Sequence, residues 1–156
     1  MTAVALTVSA VVALAAVLLA VARRVLLVVT VHGASMYPAL APGDRVLVLR
    51  AGPPARRPRR GRVVVLRADR VPGAGPGGLL VKRVAARAGD PVPPGAGEGV
   101  VPDGRLVVLG DNPEVSTDSR VWGPVPAASV VGVTIGRLPR AAGPSRPAAQ
   151  SAPHGL

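Results

Sequence analysis

An uninterrupted apolar run close to the N-terminus is the strongest constraint on how this 156-residue chain can fold. From Ala3 to Ala22, twenty residues, only Thr7 and Ser9 are not apolar. As a helix this run is about 30 Å long, the thickness of the hydrocarbon core of a bilayer. Nothing basic precedes it, and it exceeds the apolar core of a secretory signal peptide. We predict a retained transmembrane anchor over residues 1–24, although Ala20-Val21-Ala22 has the form of a cleavage site.

Short β-branched runs follow the anchor and predict a mainly β domain. They alternate with glycine- and proline-rich segments, as strands joined by turns and loops do. No segment after the anchor has the periodicity of a long helix. The predicted strands are residues 25–31, 45–50, 62–67, 79–87, 105–109 and 130–137. We place the folded domain at residues 25–140 and expect residues 141–156, rich in Ala, Pro and Ser, to form a disordered tail.

Composition removes several classes of function. The chain has no cysteine, so disulfides and thiolate chemistry are excluded. The formal net charge is +11, but Pro58 interrupts the densest arginine cluster, and only two aromatic residues, Tyr37 and Trp122, are present to stack on bases. We therefore expect no nucleic-acid partner and assign the charge to attraction for anionic lipid headgroups.

A single lysine, Lys82, stands among eighteen arginines. Arginine keeps its proton at physiological pH, whereas the pKa of a lysine falls readily when its amine is buried. On a strand, Lys82 shares one face with Leu80 and Val84, and this apolar setting favours a neutral amine that can act as a base. The alternatives are a codon bias against lysine and an edge-strand lysine that deters aggregation.

Ser35 is the candidate nucleophile for such a base. A serine hydroxyl is a weak nucleophile until a neighbouring group takes its proton, and histidine is the usual partner. His32 is only three residues from Ser35, whereas a Ser–His–Asp triad brings together side chains from separate elements. A pair of Ser35 and Lys82 is the better hypothesis.

Three motifs resemble those of bacterial type I signal peptidases. In this chain, GASMYPAL (33–40) is similar to the family's nucleophile motif, and VKRVAARAGD (81–90) is similar to the segment that carries its general-base lysine. GDNPEVSTDSRVWGPVP (110–126) is similar to its third signature. They occur in the order and approximate spacing of the family. The resemblance implies a short, single-anchor member with a compact signal-peptidase-like β domain. It further implies a membrane-bound serine endopeptidase that works as a monomer without a cofactor. Such an enzyme removes signal or leader peptides after small residues, of the Ala-x-Ala type, through an acyl-enzyme.

The same resemblance implies roles for individual residues. Ser35 would be the nucleophile and Lys82 the general base. Ser116 would orient the lysine amine through a hydrogen bond. Asp118 and Arg120 would form a structural ion pair that supports the site.

The resemblance also implies roles for residues around the nucleophile and the base. Asp111 would be a further structural support. Gly33 stands where some members carry a hydroxyl that helps to bind the oxyanion, so a backbone N–H or a water would have to replace it. Four residues would line the pocket for the residue before the cleaved bond, or alternatively form ordinary core: Val31, Met36, Leu40 and Val81.

The orientation of the domain and the range of substrates stay open. Arg23 and Arg24 follow the anchor and favour a cytoplasmic domain under the positive-inside rule. Signal peptides are cleaved on the far side of the membrane, so the resemblance implies an extracytoplasmic domain.

Ala39 and Arg62 replace the threonine and aspartate usual in the family, and neither change removes a catalytic group. The alternatives are a protease dedicated to one precursor, such as a metalloenzyme pro-segment, and a non-catalytic membrane-anchored protein that binds lipid or peptide.

Overall fold

The computed structural model describes residues 2–50, 58–71 and 78–139. Helix α1 (Thr2–Val25) runs directly into strand β1 (Leu26–Thr30). The later elements are β2 (Arg45–Arg50), β3 (Val63–Arg67), β4 (Leu79–Arg87), β5 (Arg105–Leu109), the one-turn helix α2 (Ser119–Trp122), β6 (Val125–Pro126) and β7 (Val130–Leu138).

The seven strands of the described residues form one antiparallel sheet in the order β1-β2-β7-β3-β4-β5-β6. The mainly β fold is confirmed, and each of the six predicted strands has a counterpart in the sheet. The sequence does not predict β6, because two residues are too few to show any alternation.

Both faces of the sheet are buried at its centre. Val64 and Val65 are adjacent on β3 and point to opposite faces, yet neither is exposed to solvent. Val65 packs in one cluster of core residues, with Val29, Val31, Met36, Leu40, Val46 and Val48. Val64 packs in the other, with Leu66, Val71, Val84, Leu106, Val108 and Val125. Burial on both faces explains why the strand sequences are continuous apolar runs rather than alternating ones.

Helix α1 carries the segment predicted to be an anchor. The helical segment Val8–Val25 is long and apolar enough to cross a membrane. The residues at 8–21 are exposed. The predicted tail, residues 141–156, lies outside the described residues, so the boundaries of the three segments stay predictions.

Candidate active site

A cleft of about 420 Å³ is lined by β1, the segment that follows it and the first half of β4. Most of its lining residues are apolar: Val28, Val29, Val31, Met36, Leu79, Leu80 and Val81. The polar residues that line it are Thr30, His32, Ser35 and Lys82. The fold therefore brings the predicted nucleophile and the predicted base to one cleft from separate elements.

Lys82 lies on β4 with its side chain almost completely buried, at 4% exposure. Its Nζ donates a hydrogen bond to Ser116 Oγ at 2.9 Å. Burial lowers the pKa of the Lys82 amine, the negative charge of Asp118 raises it, and the positive charge of Arg120 lowers it again, so that the pKa lies below its ordinary value. The site thus favours a neutral amine, the form that can accept a proton.

Ser116 is held in turn by Asp118, which has no exposed surface. Asp118 Oδ2 accepts hydrogen bonds from Ser116 Oγ at 2.7 Å, from the Gly110 N–H at 2.8 Å and from Arg120 Nη2 at 2.6 Å. Burial tends to raise the pKa of Asp118, but the hydrogen bonds from Arg120, Gly110 and Ser116 outweigh it and hold that pKa at about 2. Asp118 is therefore ionised at neutral pH and is the partner in the ion pair with Arg120.

The direction of these hydrogen bonds determines whether the Lys82 amine can accept a proton. A hydroxyl has one proton to donate, and Ser116 donates its proton to Asp118. Ser116 therefore serves Lys82 as an acceptor only, and the amine uses one of its N–H groups in that bond. The lone pair of the neutral amine is left unused by this contact and remains able to take a proton.

Asp111 has a partner that the sequence analysis does not assign. Arg83, the residue after Lys82, donates from Nε to Asp111 Oδ1 at 2.7 Å and from Nη2 to Asp111 Oδ2 at 2.5 Å. Its Nη1 also reaches the Gly61 carbonyl at 2.8 Å. This bidentate pair joins β4 to the turn after β5, the turn that also bears Ser116. In the sequence, the Lys-Arg pair of the second motif is the one feature that points to this contact. The partner of Arg83 becomes clear only when the pairing of β4 with β5 is known.

Ser35 lies in the segment between β1 and β2, on a turn fixed from two sides. The Tyr37 N–H bonds to the Ala34 carbonyl at 3.1 Å, and the fully buried Met36 anchors the turn in the core. The Asn112 N–H donates to the Ser35 carbonyl at 3.0 Å. The segment that carries Ser35 and the Gly110–Asn112 turn are thus joined directly. The peptide bond between Tyr37 and Pro38 is cis.

Three of the four predicted pocket residues, Val31, Met36 and Val81, line the cleft. Leu40 is not among the residues that line it; it is 7% exposed and packs in the core cluster with Val31 and Met36. Gly33 has a φ of +81°, and a Cβ built there would meet nothing within 4 Å. The space beside Gly33, two residues before Ser35, is therefore open.

Gly110 is a site residue that the sequence analysis does not single out, although it begins the Gly-Asp-Asn motif. A Cβ on Gly110 would lie 2.6 Å from Ser116 Cβ and 2.6 Å from the Ser35 carbonyl oxygen, and closer still to Ser116 Oγ. A glycine in such a motif is typical of a turn. Here it is needed because no side chain fits between Ser35 and Ser116.

Comparison with known proteins gives consistent matches. A family model described as "Signal peptidase, peptidase S26" matches residues 3–97 and 92–138. The mitochondrial ATP-independent inner membrane protease subunit 1b of Arabidopsis thaliana is 35% identical over 116 residues, which cover 69% of this chain and 66% of the relative. Thylakoidal processing peptidase 1 of the same plant is 28% identical, over 69% of this chain and 40% of its own length. The probable signal peptidase I-1 of Synechocystis is 30% identical, over 67% of this chain and 66% of its own length. The chain thus spans less than two thirds of the length of each of these relatives.

We expect Gly110→Ala to push Ser116 or the Ser35 segment out of place and to lower the free energy of unfolding by roughly 1–3 kcal/mol. The matched control is Gly136→Ala on β7, where a Cβ would meet nothing within 4 Å and the change should be close to neutral. Thermal denaturation of the two variants in detergent micelles measures the difference. Equal stability of both variants would contradict the close packing around Gly110.

Proposed function

This chain belongs to the signal peptidase family, peptidase S26, and we propose on that premise that it is a membrane-bound serine endopeptidase. Its substrates are N-terminal signal or leader segments of precursor proteins, cleaved after small residues. The observation that carries the proposal is the buried Lys82 amine, hydrogen-bonded to Ser116 and lining the same cleft as Ser35. The names of the relatives, a protease subunit, a processing peptidase and a probable signal peptidase, support the same class of reaction.

The proposed reaction begins with transfer of the Ser35 hydroxyl proton to the neutral Lys82 amine. Ser35 Oγ forms a bond to the carbonyl carbon of the scissile peptide, and the carbonyl electrons move onto the oxygen. The Ser35 N–H is the proposed donor to this oxyanion. Lys82, now protonated, gives its proton to the leaving nitrogen as the C–N bond breaks, which leaves an acyl-enzyme. Lys82 then takes a proton from water, and the hydroxide formed adds to the acyl carbon. The ester bond to Ser35 Oγ breaks, which releases the leader segment as a carboxylic acid, and Lys82 returns its proton to Ser35 Oγ.

The topology of the sheet supports extended-peptide binding in the cleft. β1 is an edge strand that pairs only with β2 among the described strands. β4 pairs with β3 from Leu79 to Arg83, but its pairing with β5 begins only at Arg83. Residues 79–82 therefore have one open edge, and they line the cleft opposite β1. A substrate segment in extended conformation can add to such edges through its backbone, with alternate side chains directed into apolar pockets.

The apolar lining of the cleft supports a preference for small apolar side chains. Met36 and Val31 are buried, and together with Val81 they line the cleft. Small apolar pockets accept alanine and reject larger side chains by steric overlap. We propose cleavage after an Ala-x-Ala type sequence on these grounds.

We expect Ser35→Ala and Lys82→Arg each to reduce cleavage of a leader-bearing precursor peptide by about 10³-fold or more. The first removes the nucleophile, and the second keeps the positive charge but removes the base. The assay uses the full chain in detergent micelles, with melting curves to establish that each variant folds. The matched control is Arg67→Lys, an exposed conservative change that should keep full activity. Normal cleavage by Lys82→Arg would mean that Lys82 supplies only charge.

The proposed location is the membrane, with the catalytic domain on the extracytoplasmic side. The apolar helix Val8–Val25 suits a single span, and precursor leaders are cleaved after export. Two arginines, Arg23 and Arg24, follow the apolar run and favour the opposite orientation, but a large C-terminal domain is translocated largely regardless of charge.

A reporter that is active only outside the cytoplasm, fused after Pro139, should be active in cells if this orientation is right. The matched control is the same fusion with residues 1–25 removed, which should be inactive. Cytoplasmic behaviour of the full-chain fusion would overturn the proposed orientation.

A further inference from the structure

Asp44 is a buried carboxylate outside the catalytic cluster, in the segment between β1 and β2. It is only 1% exposed. Its Oδ2 accepts the Ala41 N–H at 2.8 Å, and its Oδ1 accepts Nη2 of Arg137 at 2.8 Å. A buried carboxylate is costly unless it is hydrogen-bonded and paired with a cation. Arg137 supplies the cation, from a position 93 residues further along the chain.

The backbone of Asp44 closes the segment that bears the nucleophile. Its carbonyl accepts the Val31 N–H at 2.8 Å, and its own N–H donates to the Ala41 carbonyl at 3.0 Å. The neighbouring Gly43 N–H donates to the Val31 carbonyl at 2.9 Å. These bonds join residue 31 to residues 43 and 44, so Ser35 and Met36 lie on a loop whose two ends are held together at Asp44. A displacement of Asp44 therefore displaces the ends of the loop that carries Ser35.

Arg137 belongs to a different part of the fold. It lies on β7, opposite Val46 of β2 in the strand register. β7 pairs with β3 between Val130 and Val133, and its later part, which carries Arg137, pairs with β2. The Arg137 side chain is 56% exposed while that of Asp44 is 1% exposed. An ion pair with both partners exposed contributes little, but a cation whose partner is a buried carboxylate is much harder to remove.

We infer that Arg137 is a positioning residue for the nucleophile: through Asp44 it fixes the 31–44 loop to the sheet so that Ser35 faces Lys82. The inference extends the proposed function, because it assumes that Ser35 is the nucleophile. Arg137 touches neither the substrate cleft nor the Lys82–Ser116–Asp118 chain of hydrogen bonds. Its effect on the reaction passes entirely through Asp44 and the loop.

The test compares Arg137→Gln, which removes the charge, with Arg137→Lys, which keeps it. We expect Arg137→Gln to lower kcat by about 10- to 100-fold, with a smaller change in KM because most of the cleft walls belong to β1 and β4. In Arg137→Lys part of this kcat should be retained.

The matched control is Arg67→Gln, which breaks an ion pair whose two side chains are 49% and 42% exposed. This change should leave kcat unchanged. All rates are taken at a temperature where melting curves show each variant fully folded, so a loss of folded protein does not imitate a loss of kcat.

Hydrogen exchange gives a readout that does not depend on activity. In Arg137→Gln the amides of Val31, Ala41 and Gly43 should exchange faster than in the unaltered chain, and in Arg67→Gln they should not. Unchanged exchange in Arg137→Gln, or a kcat equal to that of the unaltered chain, would overturn the inference.

If the unaltered chain and Ser35→Ala both fail to cleave any leader peptide, the proposed function fails. The exchange rates alone then decide whether Arg137 holds the loop.

Discussion

The burial of one amine, that of Lys82, is the constraint on which the rest of the site depends. A charged ammonium group is costly to remove from water, and a lysine avoids most of that cost by releasing its proton. Burial of this kind requires apolar neighbours. The sheet provides them, with the fully buried Val64 opposite Lys82 in the register and Val84 on the same face. The architecture of a sheet covered on both faces is thus what makes a neutral lysine possible.

The turn after β5 holds the Lys82 amine without placing a carboxylate directly against it. Direct contact with a carboxylate would stabilise the protonated lysine. Instead a neutral hydroxyl, that of Ser116, stands between Lys82 and Asp118. Asp118 is in turn stabilised by Arg120 and by the Gly110 N–H. Asp118 therefore orients the Lys82 amine through Ser116, while the charge of Asp118 is balanced by Arg120.

Much of this arrangement can be predicted from the sequence, and the limits of that prediction have physical causes. The six longer strands are visible as β-branched runs, and Lys82 is visible as the only lysine. The expectation that Ser35 and Lys82 share one site agrees with their place in one cleft. The contacts of Arg83 with Asp111 and of Arg137 with Asp44 cannot be predicted, because they depend on strand order and register.

Two further features of the site also escape the sequence. The need for glycine at position 110 is hidden, since it arises from the approach of Ser35 and Ser116 and not from the local backbone. The sequence leaves open whether Leu40 lines the pocket or packs in the core, and the structure places it in the core cluster. Spacing along the chain does not define which side of a turn a leucine side chain takes. A single titration tests the central claim about the site most directly. Because Lys82 is the only lysine, lysine labelled with ¹⁵N at the side-chain amine gives one Nζ signal from the folded chain, and its chemical shift followed against pH reports the pKa of Lys82 alone. An exposed lysine titrates at about 10.4. The account predicts a midpoint clearly below that value, moving upward to the ordinary range when the chain is unfolded in denaturant. A midpoint in the folded chain equal to or above the unfolded one would show that the amine is charged at neutral pH, and would contradict the proposal that Lys82 is the base.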